Sequence, residues 1–414
     1  MQSNLKLILG LFIIVGCART IGDIALKIGN GTDVDIKIEA ELGKGGSNPY
    51  LNYNASLNKF EVCNEGEACS EVGSLSSVSA LIQKSALKNW TDFSVVSSVG
   101  NYTGTTIGQG KIADTTYGPQ SSYITIVNQD KYFNNNYGLW STYTISNITK
   151  ATSIAFSPVT NTSVIVQTST SGNYPAVYSG TGLGFLALGS TIAETFHFKQ
   201  VVYGNGYFLA IGNFDSTAYG KVMVIDETDF STYTLIDLPD TVNEQATWTN
   251  IVFIASVNRF VISGKYAAGA NIGEPVFYTS DNNGSTWTKS DLSAITLTST
   301  SPSIYTSYGN GKIVAVGGYG SGTTSMFIST DNGATFNETI VNNTFYKLQF
   351  LNGFFMAYHD ATGSVGYISS DGVNWELINY TSDAYEGFSD VYYSELYKKG
   401  VGIEFNNVYF SDAI

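Results

Sequence analysis

From about residue 90 onward, short apolar runs are joined in pairs by tight polar turns. The pairs recur along the chain in the same form: Gln200–Gly212, Asn250–Gly264, Ser307–Gly317 and Lys347–Tyr358. Their turns contain Asn205, Asn258, Asn310 and Asn352, and three of these four asparagines precede a glycine. Asn-Gly between apolar runs favours a two-residue hairpin turn, because both central positions need a positive φ. The pattern therefore predicts a series of β-hairpins.

Each hairpin is followed by a variable loop and a second hairpin, which gives four strands in each repeat of roughly 40–50 residues. Six complete repeats run from about residue 98 to residue 383. The chain then ends in three further strands, and the fourth strand that they lack is found at 89–96. Pairing of this N-terminal strand with the last repeat would remove an open sheet edge. We predict an all-β protein with a seven-bladed β-propeller over residues 86–414. Six or eight blades are the alternatives, because the first two repeats are degenerate.

Three turns in the later repeats share a second motif. Residues 329–336 read Ser-Thr-Asp-Asn-Gly-Ala-Thr-Phe, and variants of different length occur at 279–287 and 369–375. The motif resembles the Asp-box of the BNR repeat family, which includes sialidase-like β-propellers. In such a turn the carboxylate accepts backbone N–H groups, glycine supplies a positive φ and the aromatic ring packs between sheets. The resemblance implies a structural role for these residues: Asp281, Gly284, Trp287, Ser329, Asp331, Gly333, Phe336, Ser369, Asp371, Gly372 and Trp375.

The composition supports an all-β chain and argues against several functions. Only 13% of the residues are charged, whereas Gly (43) and Tyr (28) are abundant, so helix formers are scarce and strand formers plentiful. The 34 acidic and 20 basic side chains give a net charge of −14 without a basic run, which argues against binding to nucleic acid or to an anionic membrane. Histidine occurs only at His197 and His359, and we expect no metal site and no cofactor.

The resemblance to sialidases raises the question of catalysis. Exo-sialidases of that family hold the substrate carboxylate with three clustered arginines, whose planar forks suit a carboxylate. This chain has only Arg19 and Arg259, so that site cannot be built. Other glycosidases need a pair of carboxylates, and no pair stands out among the acidic residues. We assign no catalytic residue. A glycan hydrolase without the arginine cluster is the enzyme alternative.

The first residues form a secretion signal. Lys6 precedes the apolar run 7–15, which is too short to span a bilayer. The following Gly16-Cys17-Ala18 resembles the lipobox of bacterial lipoproteins. This resemblance implies that residues 1–16 are removed, that Cys17 is lipidated, and that the protein is an outer-membrane or cell-surface lipoprotein. Simple secretion is the alternative, and the lipid anchor is the only membrane contact expected.

Residues 17–85 do not follow the repeat, and we interpret them as a small β stalk or linker module. The remaining cysteines, Cys63 and Cys69, are separated by a short glycine-containing segment, which favours a disulfide across a hairpin tip. The stretch Pro49–Phe60 resembles repeats of bacteriophage tail-fibre proteins. A phage fibre or receptor-binding component is therefore a further alternative.

We expect recognition at the loops between the second and third strands of each repeat, which vary most in sequence. Variable loops on a rigid scaffold are where binding residues concentrate. Together with loops of the first repeats, they offer these candidates: Tyr117, Tyr174, Asp215, Tyr219, Lys265, Tyr266, Tyr319, His359 and Asp360. Tyrosines among Asn, Ser and Gly suit stacking and polar contacts. The sequence thus predicts a non-catalytic extracytoplasmic binding protein whose partner is a protein or a carbohydrate at a cell surface.

Overall fold

The computed structural model describes all the strands given below. It also describes the turns and loops that fall within these ranges: 151–160, 162–167, 196–214, 220–238, 245–268, 271–295, 304–320, 323–342, 345, 347–358 and 366–378. The chain divides into two compact units. The first comprises residues 1–86 together with Ile414, and the second comprises residues 87–413.

The first unit contains one antiparallel sheet of five strands in sequential order. The strands are β1 (Ile24–Ile28), β2 (Ile36–Ala40), β3 (Tyr50–Asn54), β4 (Lys59–Cys63) and β5 (Ser70–Ser74). β3 and β4 pair as a hairpin, which contains most of the stretch that resembles tail-fibre repeats. Cys17 and Cys69 lie outside the described residues, so the lipid anchor and the disulfide stay predictions.

The strands described in the second unit form seven antiparallel sheets of four strands each, which we call blades. Its first strand, β6 (Trp90–Asp92), belongs to the last blade. Blade 1 consists of β7 (Thr106–Gly110), β8 (Tyr123–Asn128), β9 (Lys131–Asn136) and β10 (Leu139–Thr144). Blade 2 consists of β11 (Ala151–Ser157), β12 (Thr162–Gln167), β13 (Val177–Thr181) and β14 (Gly184–Ala187). Blade 3 consists of β15 (Phe196–Gly204), β16 (Tyr207–Phe214), β17 (Gly220–Asp226) and β18 (Asp229–Asp237).

The remaining blades follow the same plan. Blade 4 consists of β19 (Ala246–Ile254), β20 (Arg259–Tyr266), β21 (Pro275–Ser280) and β22 (Thr288–Lys289), and blade 5 of β23 (Ile304–Gly309), β24 (Lys312–Gly320), β25 (Thr323–Ser329) and β26 (Asn337–Val341). Blade 6 consists of β27 (Lys347–Leu351), β28 (Phe354–Tyr358), β29 (Gly366–Ser369) and β30 (Glu376–Ile378). Blade 7 consists of β31 (Asp390–Ser394), β32 (Lys399–Glu404), β33 (Asn407–Ser411) and β6. A 3-10 turn, Ala255–Val257, joins β19 to β20.

The blades are arranged in a ring around their first strands. β7, β11, β15, β19, β23, β27 and β31 each contact the next in this order, and β31 contacts β7. In the last blade, β6 pairs antiparallel with β33, with Trp90 opposite Ser411 and Asp92 opposite Tyr409. Both ends of the second unit therefore contribute to one blade. The prediction of an all-β propeller is confirmed.

Polar side chains of the inner strands link consecutive blades. Each link is a backbone N–H of one blade donating to a side-chain oxygen of the blade before it: Val201 to Ser153 Oγ (3.2 Å), Ile251 to Gln200 Oε1 (2.7 Å) and Thr306 to Asn250 Oδ1 (2.8 Å). The three acceptor residues all follow a register shift near the start of their strand. A register shift inserts one extra residue in the strand and changes the direction of the next side chain. The same combination of a register shift and an inter-blade hydrogen bond therefore recurs in three blades.

Apolar side chains fill the space between facing blades. The largest fully buried ones are Trp248, Tyr278, Phe198, Phe208, Phe260 and Phe277. The cluster between blades 3 and 4 combines Ile211 and Val222 from one blade with Trp248 and Tyr278 from the other. Burial of such side chains is the main favourable term in folding. In the described part of the chain, no helix is long and apolar enough to cross a membrane.

Candidate functional site

The two ends of the blades differ in what they carry. Because successive strands run antiparallel, the 1–2 and 3–4 turns of a blade lie at one end, which we call the turn end. The 2–3 loops and the links between blades lie at the other, which we call the loop end. Recognition was expected at the loop end.

Three of the nine candidate binding residues fall within described strands. Lys265 and Tyr266 end β20, and Tyr319 lies in β24. Their expected position in loops is therefore wrong, because pairing extends both strands further than the sequence pattern indicates. Lys265 pairs with Thr247 and with Pro275, and Tyr319 pairs with Thr324. The other six candidates lie outside the described residues: Tyr117, Tyr174, Asp215, Tyr219, His359 and Asp360.

Tyr266 is a core residue. Its side chain is only 3% exposed and belongs to the apolar cluster between blades 3 and 4. It lies opposite Ala246 in the β19–β20 pair, so it shares the blade face that carries Trp248. The ammonium of Lys289 stands 5.2 Å from the centroid of its ring, which is within the range of a cation–π contact. Tyr266 is therefore not available to stack on an external ligand.

The loop after β20 is held to its blade by backbone hydrogen bonds. Tyr266 N–H donates to Glu274 O (3.0 Å), and Gly273 N–H donates to Tyr266 O (2.8 Å). Ala267 N–H donates to Gln245 O, at the start of the same blade. At the tip of this loop, Ile272 is 58% exposed. An apolar side chain is thus presented to solvent on residues 271–274, which backbone hydrogen bonds hold to the end of β20.

Lys265 lies at the base of the same loop. Its side chain is partly buried, and burial lowers the pKa of its ammonium group. None of the described carboxylates forms an ion pair with it. A partly desolvated cation without a counter-charge gains when an anion binds. Lys265 and Ile272 are therefore the described residues at the loop end that are best placed to contact a ligand.

The turn end is occupied by three similar turns, residues 280–287, 329–336 and 369–375, which we call the Ser-Asp turns. In the first, Asn282 Oδ1 takes the place of the carboxylate and accepts from Ser280 Oγ (3.0 Å) and Thr286 N–H (2.9 Å), so the prediction that Asp281 fills this role is wrong. In the second, Ser329 Oγ donates to Asp331 Oδ1 (2.7 Å) and accepts from Gly333 N–H (2.8 Å). Asp331 also accepts from the N–H and hydroxyl groups of Thr335. Burial raises the pKa of Asp331, but these hydrogen bonds outweigh it and the net pKa is lowered. The carboxylate is occupied by its own turn.

The aromatic residues of the Ser-Asp turns are packed inward. Phe336 stacks on Phe277 of the preceding blade, with ring centroids 4.0 Å apart. Trp287 and Trp375 each donate an indole N–H to the turn glycine, Gly284 O (2.9 Å) and Gly372 O (3.2 Å). These contacts fit a folding role and leave no ring free for a ligand.

Arg259 is the arginine of the propeller unit, and its guanidinium joins two Ser-Asp turns. It binds Asp281 through Nε (2.5 Å) and Nη2 (2.8 Å), and its Nη1 donates to Asn332 O (3.2 Å) of the next blade. The hydrogen bond from Arg259 lowers the pKa of Asp281. All three nitrogens are used within the protein, so Arg259 does not offer a carboxylate site for substrate.

Blade 3 has no Ser-Asp turn and instead reaches into blade 2 with Glu227. The carboxylate of Glu227 accepts from Ser157 Oγ and from Tyr203 Oη (3.0 Å). Ser157 Oγ also accepts from the N–H groups of Val159 and Thr160 (3.2 Å each). This reproduces the arrangement of a Ser-Asp turn with a carboxylate from the neighbouring blade. The buried acid is therefore structural.

The described residues show no group that points to metal or acid–base chemistry. No three His, Cys, Asp or Glu side chains among them are placed to hold a metal ion. His197 lies in β15 and is partly buried. The carboxylates with lowered pKa values lie in turns or at the strand ends beside them, and are held by hydrogen bonds from nearby residues of the chain or by Arg259.

No protein-family model and no curated protein matches the sequence. Among solved structures, the chain is similar to the computationally designed Ika8 protein, at 12% identity and a TM-score of 0.47, over 76% of this chain and 98% of that one. It is also similar to the Swd1 β-propeller domain of Myceliophteria thermophila, at 10% identity and a TM-score of 0.47, over 76% and 97%. A gluconolactonase from Xanthomonas campestris is similar at 10% identity and a TM-score of 0.42, over 73% and 94%. These likenesses say nothing about activity or ligand.

Sequence reasoning missed Ile272. It stands alone in the loop Asn-Ile-Gly-Glu-Pro, outside any alternating pattern. An isolated apolar residue between turn-forming residues was the available signal, because such a residue has no strand face to bury it.

Proposed function

We propose that the protein is a non-catalytic extracytoplasmic binding protein that recognises a protein or a glycan through the loop end of its propeller. The observation that carries this proposal is that Ile272 is exposed on a segment held to the end of β20 by backbone hydrogen bonds, while Lys265 lies partly buried near the end of that strand, one residue before Tyr266. A segment that backbone hydrogen bonds already hold loses less conformational entropy when it binds. The charge and the apolar group together favour a protein partner, since the ring of Tyr266 is not free for a sugar.

We further propose that the Ser-Asp turns are Asp-boxes of the BNR type and that the chain is a sialidase-like propeller without sialidase chemistry. The hydrogen bonds of Ser329 and Asp331 and the inward aromatic rings support the first part. The use of Arg259 by Asp281 and Asn332 supports the second.

The lipobox-like segment supports a lipid anchor at Cys17, which would hold the binding surface at the cell exterior. Mass spectrometry of the mature protein tests this separately. A diacylated or triacylated Cys17 at the N-terminus is expected. An unmodified N-terminus beyond residue 17 would refute the anchor and leave secretion.

The binding proposal is tested by screening the purified protein against immobilised glycans and extracellular protein domains, followed by affinity measurements on variants. Ile272→Asp and Lys265→Met are expected to weaken binding about tenfold or more, as central contact residues do. Ile340→Asp is the matched control, because Ile340 is also exposed (45%) but lies on the outer strand of blade 5. Equal loss in all three variants, or none in the first two, would contradict the proposal.

Product analysis in the same screen and the oligomeric state of the purified protein separate the alternatives. Release of product from a bound glycan would favour the hydrolase. A trimer in solution would favour the phage fibre component.

A further inference from the structure

Five Asn-Gly pairs lie among the described residues, all in turns at the turn end of the propeller. They are Asn205-Gly206, Asn283-Gly284, Asn310-Gly311, Asn332-Gly333 and Asn352-Gly353, and each of these asparagines has a positive φ. Asparagine before glycine is a reactive position for loss of the side-chain amide, because a residue without a Cβ lets its backbone nitrogen approach the preceding side chain. Since the five pairs share one sequence, their surroundings decide how readily each reacts.

Two of the asparagines have their side-chain amide held by the next blade. Asn205 Nδ2 donates to Asn283 Oδ1 (2.8 Å). Asn310 Nδ2 donates to Gly353 O (2.7 Å) and to Ser370 O (2.9 Å). An amide held in this way must lose its partner before its carbonyl carbon can meet the nitrogen of the following glycine. The fold therefore protects both side chains.

In two further pairs, the nitrogen of the glycine is held. Gly284 N–H donates to Ser280 Oγ (2.9 Å), and Gly333 N–H donates to Ser329 Oγ (2.8 Å), each within a Ser-Asp turn. Both glycines are buried. A buried nitrogen that donates to a serine is not available to attack a side chain, so these pairs are protected at their other member.

The pair Asn352-Gly353 has neither form of protection. It is the turn between β27 and β28, with φ values of 43° and 92°, and both residues are partly exposed. In the described part of the chain, neither Asn352 Nδ2 nor Gly353 N–H has a hydrogen-bond partner. We infer that Asn352 is a site of spontaneous deamidation in the folded protein and reacts faster than the other four described Asn-Gly pairs.

The reaction needs only hydroxide and water. Hydroxide removes the proton of Gly353 N, the nitrogen attacks Asn352 Cγ to form a C–N bond, and Nδ2 takes a proton from water and leaves as ammonia. Water then opens the resulting five-membered succinimide. Cleavage of the new C–N bond gives aspartate, whereas cleavage of the original peptide bond gives isoaspartate, which lengthens the backbone by one atom. Because Gly353 O accepts from Asn310 Nδ2, isoaspartate in this turn would disturb a contact between blades 5 and 6.

The test follows the folded protein in mildly alkaline buffer made with H₂¹⁸O. Peptide mapping by mass spectrometry measures the labelled aspartate and isoaspartate formed at each Asn-Gly pair. Asn352 is expected to react on the order of fivefold or more faster than Asn205 and Asn310, since one hydrogen bond changes an equilibrium by about that factor. Equal or faster reaction at Asn205 or Asn310 would overturn the inference. So would a preference for Asn352 that persists in denaturant, because the neighbouring sequence and not the fold would then select it.

Asn283→Gly is the matched variant. Glycine suits the φ of 58° at this position, and the substitution removes the partner of Asn205 Nδ2. Deamidation of Asn205 is expected to rise on the order of fivefold, while Asn310 and Asn352 react as they do in the wild type. An unchanged rate at Asn205 would show that a held amide is not protected and would contradict the inference.

Asn352→Gly removes the reactive amide. This turn lies at the end opposite Lys265 and Ile272, so the result does not depend on the binding proposal. The φ of 43° at Asn352 suits glycine, and the label should disappear from the peptide that contains this turn, while Asn205 and Asn310 react as before. Label that persisted in that peptide would place the reaction at another residue and would refute the assignment.

Discussion

Gly309 lies against the ring of Phe350 so closely that no side chain fits at the glycine. A Cβ on Gly309 would stand 2.1 Å from Phe350 Cδ2. Gly309 ends the inner strand of blade 5, and Phe350 lies on the inner strand of blade 6. Gly204 and Phe253 repeat the relationship between blades 3 and 4, with the corresponding Cβ 2.4 Å from Phe253 Cγ. Close approach of a ring to a glycine is thus one way in which consecutive inner strands are held together.

Gly309→Ala is expected to lower the free energy of unfolding by about 1–3 kcal/mol, because an added methyl group in a packed interface forces its neighbours to move. Chemical denaturation measures the change. Gly311→Asn is the control: a Cβ on Gly311 meets nothing within 4 Å, and its φ of +72° suits asparagine, which tolerates this conformation. Equal stability of Gly309→Ala and the wild type would show that the Phe350 ring moves aside at no cost.

Asp331→Ala is expected to lower the free energy of unfolding by about 1–2 kcal/mol, because Ser329 and the N–H and hydroxyl groups of Thr335 lose their acceptor. Ligand affinity of the folded variant should be unchanged, since the turn lies at the end opposite Lys265. Asp237→Ala is the control. That carboxylate pairs with Lys221 at 3.1 Å but is 71% exposed, so its loss should cost little. A larger effect at Asp237 than at Asp331 would contradict the structural role of the turn.

The Ser-Asp turns also predict how stability depends on pH. The hydrogen bond from Arg259 lowers the pKa of Asp281. For Asp371, burial raises the pKa, but hydrogen bonds from Asn374, Val373 and Ser369 outweigh it, and the net pKa is well below the usual range. A carboxylate with a lowered folded-state pKa stabilises the fold above its unfolded pKa of about 4, and this stabilisation is lost as the pH falls through the folded value.

The melting temperature is therefore expected to fall as the pH drops below about 4. Asp371→Asn should be less stable than the wild type at neutral pH, and the difference should narrow in acid because both side chains are then uncharged. Calorimetry across this range measures it. A constant difference between the two proteins down to the lowest pH would mean that ionisation of Asp371 does not contribute.

The propeller is predictable from the sequence because its signals are local and repeated. The turn at Asn310 needs a positive φ, and the structure has φ 51° there. The spacing of Ser329, Asp331 and Gly333 specifies the Ser-Asp turn by itself, since its hydrogen bonds connect residues only a few positions apart. Such features require no knowledge of the neighbouring blade.

The candidate site was harder to predict because it depends on where strands end and which face they present. Tyr266 follows Lys265 in a stretch that resembles the start of a loop, but pairing with Ala246 keeps it in β20 and directs it inward. Lys265, one residue earlier, is directed to the opposite face because side chains alternate along a strand. Whether β20 ends at Lys265 or at Tyr266 thus decides whether Tyr266 is a core residue or a loop residue. The sequence pattern does not specify at which of the two residues the strand ends.

This placement leads to the last prediction, which compares the core residue Tyr266 with the exposed loop residue Ile272. Tyr266→Ala is expected to lower the free energy of unfolding by roughly 3–5 kcal/mol, as truncation of a buried aromatic residue does. Ile272→Asp should change it by less than about 0.5 kcal/mol, because a substitution at an exposed loop tip removes no core contact. Thermal melting of both variants measures the difference. If Tyr266→Ala melted at the wild-type temperature, its ring would be outside the core and open to a ligand, and Tyr266 would return to the binding surface beside Lys265.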